Sequence, residues 1–272
     1  MKKLQDKVVL ITGASSGIGA ALAEEFAQKG AKLALLARRF ERLQALVEKI
    51  QATGAKATAF ASDVTNMESL QSTVSQTEQQ LGPIDIVVAN AGFGVVGDFE
   101  RLTVEDYQRQ FETNIYGVLK TIYATLDSLK KTQGRLVLIG SVAGYITTPK
   151  ASAYAMSKYA LRSLAEGLYA ELAPYGISVT LISSGFVKTE IRTINNQGVY
   201  QANLKDPIPT WLRISALKAA QLIVKATISR KREQILSFHG KVALFINWMF
   251  PGLLPHIFRW RRLRKRKSSL QQ

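Results

Sequence analysis

Tyr154 and Lys158 stand four residues apart in the segment Ala153–Lys158. On a helix that spacing puts both side chains on one face, one turn apart. A phenol is a weak acid, with an unperturbed pKa of about 10. A nearby ammonium favours the phenolate and draws the pKa toward the working range. Ser141 lies thirteen residues upstream, just past the apolar run Arg135–Gly140. Together the three could pass a proton to a carbonyl oxygen while another group delivers hydride. Tyr-x-x-x-Lys also arises by chance on amphipathic helices, so the surrounding elements must carry the reading.

Composition narrows the chemistry. The chain has 272 residues, 47% of them apolar, enough for one large α/β domain or two small ones. It has no cysteine, which excludes disulfides, Cys-zinc sites and thiol catalysis. His239 and His256 are its only histidines, so neither a Ser-His-Asp triad nor a metal site is expected. The formal net charge is +16, and seven of the basic residues crowd between Arg259 and Lys267 without an acid among them. The opening residues Met1–Lys7 lack the apolar core of a signal peptide. A cytoplasmic protein is therefore expected.

Apolar, β-branched runs at 7–12, 31–37, 56–61, 84–89, 134–140, 177–183 and 233–238 read as strands. Most are continuously apolar, as strands buried on both faces of a parallel sheet are. Helical patterns occupy 18–29, 40–53, 67–81, 103–130, 152–174 and 215–230. The alternation predicts an α/β, Rossmann-type doubly wound fold: a mainly parallel seven-stranded sheet with helices on both faces. No internal linker or repeat interrupts it. A single catalytic domain is expected over 1–240, followed by an extension over 241–272. Within the domain, 186–214 is irregular and holds Gly198, Pro207 and Pro209, which marks it as a lid over the substrate.

The first strand runs into Gly13-Ala14-Ser15-Ser16-Gly17-Ile18-Gly19 and then a helix. Glycines there permit a tight turn and close backbone approach to a pyrophosphate, and the helix N-terminus offers free N–H groups. Gly13, Ser15, Ser16, Gly17, Ile18 and Gly19 are thus candidate cofactor residues. The second strand ends in Arg38 and Arg39, where an acid would bind the ribose 2′-hydroxyl of NAD. Guanidinium groups suit a 2′-phosphate instead, which points to NADP(H).

Taken together, these motifs resemble the classical short-chain dehydrogenase/reductase family from residue 7 to about 190. Thr12-Gly13-x-x-x-Gly17-x-Gly19 looks like its cofactor motif, and Asn90-Ala91-Gly92 like its Asn-Ala-Gly. Asp63 and Val64 end the third strand, where family members hold the adenine. Asn114, Ser141, Tyr154 and Lys158 match the catalytic tetrad in order and spacing. Gly185, Val187 and Thr189 follow the sixth strand, where the family contacts the nicotinamide carboxamide or diphosphate. Two positions depart from the pattern: Ala89 replaces an asparagine, and Ser184-Gly185 stands for the usual Pro-Gly. The resemblance implies reversible hydride transfer to a ketone or aldehyde. In it Tyr154 is the proton donor, Ser141 a hydrogen-bond donor to the substrate oxygen, and Lys158 the holder of the nicotinamide ribose and tuner of Tyr154. Asn114 would order a proton-relay water. Assembly as a homodimer or homotetramer is also implied.

Phe93, Tyr145 and Phe186, with Gly94, Ile146, Ile191, Tyr200 and Trp211, are candidate substrate contacts, and their apolar character favours a hydrophobic substrate. The stretch 242–258 is apolar but broken by Pro251, Gly252 and Pro255, and too short for a clean span of about 20 residues. With the basic run behind it, 242–267 fits a peripheral anchor on an anionic cytoplasmic membrane face. Packing on the body or between subunits is the alternative. A basic tail also binds nucleic acid non-specifically, but no nucleic-acid module is recognisable, so no specific nucleic acid is expected. The competing functional class is a membrane-associated NADP-binding scaffold or sensor with little turnover.

Overall fold

In the computed structural model the apolar runs form strands β1 (Val8–Thr12), β2 (Lys32–Ala37), β3 (Ala57–Ala61), β4 (Ile84–Ala89), β5 (Arg135–Ser141), β6 (Ser178–Ser184) and β7 (Glu233–Ile235). The structure describes residues 3–269 apart from Ala202, Leu204, Lys205 and Pro207, and side chains beyond Arg264 lie outside the description. The strands form one sheet in the order β3-β2-β1-β4-β5-β6-β7, with every neighbouring pair parallel.

Alternate side chains of each strand feed opposite cores. Val9 and Ile11 of β1 pack with Leu22 and Phe26 of α1 (Gly17–Gln28), Leu43 of α2 (Phe40–Gln51) and Ile223 of α7 (Ala216–Ile228). Val8 and Leu10 face Leu70 of α3 (Met67–Leu81), Ile122 of α5 (Gly117–Thr132) and Leu161 of α6 (Ser152–Glu171). Strands buried on both faces need apolar residues at every position, which is why the sequence showed runs rather than alternation. Each such aliphatic side chain contributes about 1.5–3 kcal/mol on burial.

The chain reaches the β3 edge and then crosses back to place β4 on the far side of β1. The sheet order therefore reverses at β1, and a crevice opens beyond the C-terminal ends of β1 and β4. The glycine turn, Asn90–Gly92 and the end of β5 all meet there.

Three elements differ from the sequence expectations. The last strand stops at Ile235, because Ser237 instead caps α8 (Phe238–Met249), its Oγ accepting from Gly240 N at 3.2 Å. The helix expected over 103–130 is not uniform. It runs as α4 (Val104–Phe111), a π-helical turn (Glu112–Tyr116) and α5. Finally, the extension is helical. The boundary expected after residue 240 falls inside α8, and α8 meets α9 (Leu253–Ser269) at a 102° bend. Pro251 and Gly252 occupy that break, while Pro255 is tolerated in the first turn of α9.

Candidate active site

The floor of the crevice is the glycine turn. Gly13 and Gly17 have φ of 66° and 58°, backbone that favours glycine. A Cβ on Gly19 would lie 2.4 Å from the Gly13 carbonyl oxygen. Asn90 locks the turn from β4, its Nδ2 donating to the carbonyls of Thr12 at 2.9 Å and Gly13 at 3.1 Å. Thr12 Oγ1 in turn accepts from the N–H groups of Asn90 at 3.0 Å and Ala91 at 3.1 Å. Thr12, which the sequence reading used only as a motif letter, is thus a structural pin of the site. No side chain caps the α1 N-terminus, so its first-turn N–H groups face the crevice.

A cavity of about 570 Å³ runs from these glycines to Tyr154. Of the sequence candidates, Gly13, Ser15, Ser16, Gly17, Ile18, Arg38, Arg39, Asp63, Val64, Asn90–Gly92, Phe93, Tyr154, Lys158 and Thr189 line it. Gly19, Gly185 and Val187 sit behind its wall. A Cβ on Gly185 would collide with Ser237 Oγ at 2.2 Å, and Val187 is buried beside Ile214. The cradle fits a dinucleotide: glycines that a Cβ would fill, a free helix N-terminus for a diphosphate, and arginines at the β2 end. Among the described residues no His, Asp and Glu cluster is arranged to hold a metal.

At the other end, Lys158 is only 8% exposed. Its ammonium donates to Ile139 O at 2.8 Å and lies 5.7 Å from the centre of the Tyr154 ring. Burial, with no carboxylate partner, pulls its pKa down to about 8. Burial pushes the Tyr154 phenol up, opposed by the nearby Ser141 hydroxyl and by the charge of Arg192. The Lys158 ammonium faces the same ring, and the lid adds Arg192, to which no sequence pattern pointed. Ser141 pairs with Ser184 in the β5–β6 register. Its hydroxyl is fixed by donating to Ser184 O at 3.3 Å and accepting from Ala143 N at 3.1 Å.

Asn114 lies in the π turn, buried. Its Oδ1 accepts from Phe93 N at 3.2 Å, and its Nδ2 donates to Phe93 O at 3.0 Å and to Ser157 Oγ at 3.2 Å. One turn earlier Gln110 grips the same strand extension at Val95 N (2.6 Å) and Phe93 O (2.9 Å). The π turn thus ties the chain beyond β4 to α6.

Tyr145, Phe186, Gly94, Ile146 and Trp211 do not line the cavity. The Tyr145 hydroxyl donates to Glu233 across the sheet end, Arg162 covers its ring at 4.0 Å, and burial with the Glu233 carboxylate holds its pKa up at about 12. Phe186 stacks on His239 with ring centres 5.4 Å apart. Ile191 and Tyr200 do line the cavity, whereas Trp211 is exposed on the lid's second short helix. The lid contributes what sequence reasoning missed. Glu190 lies beside Arg39 and Arg42, at 3.2 and 2.8 Å, and Ile194 packs on Phe93. Glu190 and Arg39 are 151 residues apart in the chain, and no local pattern connects them.

The family model for short chain dehydrogenases matches residues 7–199. The chain belongs to the short-chain dehydrogenase family. It is 40% identical over 194 residues to an uncharacterised oxidoreductase of Staphylococcus saprophyticus, covering 70% of this chain and 82% of that one. Among solved structures it resembles a short-chain dehydrogenase/reductase from Burkholderia phymatum in complex with NAD. That match has a TM-score of 0.82, 25% identity, and covers 93% of this chain and 97% of the other. It also resembles an alcohol dehydrogenase from the archaeon Thermococcus sibiricus complexed with 5-hydroxy-NADP, with a TM-score of 0.73, 29% identity and coverage of 85% and 95%. The family relation makes the chain an oxidoreductase with a nicotinamide coenzyme, and the two neighbours show that either coenzyme type fits the fold.

Proposed function

We propose that this chain is an NADPH-dependent reductase of a hydrophobic ketone or aldehyde, acting at the cytoplasmic surface of a membrane. The observation that carries the coenzyme reading is the β2 end of the cavity, lined by Arg38 and Arg39 with no acid on that strand end. Arg39 Nη2 already donates to Ser16 Oγ at 2.7 Å and Ser15 Oγ at 3.2 Å, a ready cluster of donors for a 2′-phosphate.

The coenzyme, when bound, supplies the hydride. Tyr154, held protonated by its burial, gives its proton to the forming alkoxide. Ser141 keeps its place through Ala143 N, and its one O–H turns from Ser184 O to donate to the same oxygen, stabilising charge as it grows. Lys158 is poised to bind the coenzyme's ribose hydroxyls and to steady the phenolate that Tyr154 leaves. Asn114 holds the Phe93 backbone and Ser157, which fixes the wall beside Tyr154. Phe93, Ile191 and Ile194 supply apolar walls for the substrate.

The C-terminal helices support the membrane reading. No single described helix is long and apolar enough to cross a bilayer. Yet Phe238 and Trp248 are 81% and 77% exposed, and Phe245, Phe250 and Trp260 are exposed with them. Arginines Arg259, Arg261, Arg262 and Arg264 follow on α9, with Lys265, Arg266 and Lys267 outside the described side chains. Aromatic residues beside dense positive charge suit a lipid interface. α9 is moored to the body: Asp98 pairs with Arg262 at 2.5 Å and Lys150 at 3.1 Å. Those anchors flank, in sequence, Gly94 against the Tyr154 ring and the entry to α6. Exposed Tyr116, Tyr123, Tyr159 and Tyr169 around α5 and on α6 support a homo-oligomer.

NADPH oxidation over a panel of lipophilic carbonyls tests the reading. Tyr154→Phe is expected to lose nearly all turnover while NADPH still binds; full turnover in that variant would refute the proton-donor role. The chain is expected to float with phosphatidylserine vesicles, and Trp248→Ala with Trp260→Ala to stay below. A wild-type chain that stays below removes the membrane part.

A further inference from the structure

The lid is fastened to the adenosine end of the cavity by arginines. Arg39 Nη1 donates to Glu190 Oε2 at 3.2 Å, and Arg42 Nη1 donates to both Glu190 oxygens at 3.0 and 2.8 Å. Arg38 Nη2 donates to Gly198 O at 3.2 Å, and the Arg42 guanidinium lies 5.3 Å from the Tyr200 ring centre. Glu190, Gly198 and Tyr200 all belong to the lid and all line the cavity. Arg38 and Arg39 are also the arginines a 2′-phosphate would use, whereas Arg42 does not line the cavity. Burial works to raise the Glu190 carboxyl, but Arg42 and Arg39 outweigh it and keep it below the usual value, so Glu190 is anionic at neutral pH.

We propose that Glu190 is an internal rival of the coenzyme's 2′-phosphate. It occupies Arg39 until the phosphate displaces it onto Arg42, which makes lid position and coenzyme choice one coupled equilibrium. The inference rests on the NADPH reading above. A phosphate bearing close to two negative charges competes well for a guanidinium held by one carboxylate. An unphosphorylated coenzyme has nothing with which to displace Glu190. Glu190 therefore weighs on the phosphorylated coenzyme alone, and tempers the preference that the arginines set. By linkage, whatever the phosphate does to the lid, the lid does in equal measure to phosphate affinity.

Equilibrium titration of NADPH and NADH, by coenzyme fluorescence, tests this on the wild type and on Glu190→Gln. The amide keeps the shape of the side chain and gives up its charge. NADPH is expected to bind about fivefold tighter to the variant, the worth of one partly exposed ion pair. NADH affinity is expected to stay within about twofold. Hydrogen exchange gives the second readout. Adenosine 2′,5′-bisphosphate should speed exchange over 190–200 in the wild type, and adenosine 5′-monophosphate should not. In Glu190→Gln that segment should exchange fast without any ligand. Equal changes for both coenzymes, or weaker NADPH binding, would mean that Glu190 only shapes the pocket, and would overturn the exchange. A wild type that prefers NADH and is indifferent to Arg39→Ala would instead sink the NADPH reading itself.

Discussion

Lys158→Met should make the protein more stable and inactive at once. The Lys158 pKa falls from 10.5 to about 8 because the amine is buried without a carboxylate. At ~1.36 kcal/mol per pKa unit that is about 3 kcal/mol held against the native state while the amine is charged. Below pH 8 the ammonium is charged in both states, and the whole cost falls on the fold. Between pH 8 and 10.5 the native amine is neutral while the unfolded chain still binds its proton, so stability rises with pH across that window. Methionine removes the charge at similar length. It also strips Ile139 O of its donor, at a cost of about 1–2 kcal/mol. The net gain at pH 7 is about 1–2 kcal/mol, or roughly 2–8 °C in Tm for a chain of this size. At pH 10 under about 1 kcal/mol of that cost remains, less than the cost of the stripped carbonyl, and the order should invert. Thermal melts of both proteins at the two pH values check this, since other titrations cancel in the difference. A variant that melts below the wild type by the same margin at both values would refute the reasoning.

Ser141→Ala removes the hydroxyl that opposes the effect of burial at Tyr154, so the phenol pKa should rise further. The alkaline limb of the reduction profile should move to higher pH, and kcat should fall about 100-fold. Tyr145→Phe breaks the bond to Glu233, which keeps Ser183 Oγ at 2.7 Å as a donor. A loss of about 1 kcal/mol in urea unfolding is expected, with kcat/KM unchanged; a substrate-dependent rise in KM would return Tyr145 to the pocket.

What the sequence showed and what it hid follow from range. β4 was legible to its ends, Ile84 and Ala89, because a doubly buried strand must be apolar throughout. The glycine turn and the run from Ser141 to Lys158 could be placed because each spacing lies within one β-α unit, β1-α1 and β5-α6, while Asn114 belongs to the helix after β4. Residues 236–238 misled because Leu236 and Phe238 look strand-like, while the cap at Ser237 shows only in the hydrogen bond it makes. The π turn left no periodic trace in five residues. Tyr145 was assigned by proximity to Ser141, but the chain turns through Val142–Gly144 and sends the phenol to β7. Glu190 and Arg192 act on distant partners, and only folding brings the lid to β2 and Tyr154.

The π turn has a consequence for how this site can change. Such a turn spends one more residue than the α-helix it interrupts, and so rotates everything before it against everything after. Gln110 and Asn114 both grip the Phe93 strand across that shifted phase, while α5 keeps Val118 and Ile122 in the core. Point substitution can empty Asn114's place but cannot move it around the helix. Deleting one residue between Glu112 and Tyr116 would force α4 to swing by about 100° about its axis or lose its hold on the strand. Variation along this helix is therefore constrained in length before it is constrained in chemistry.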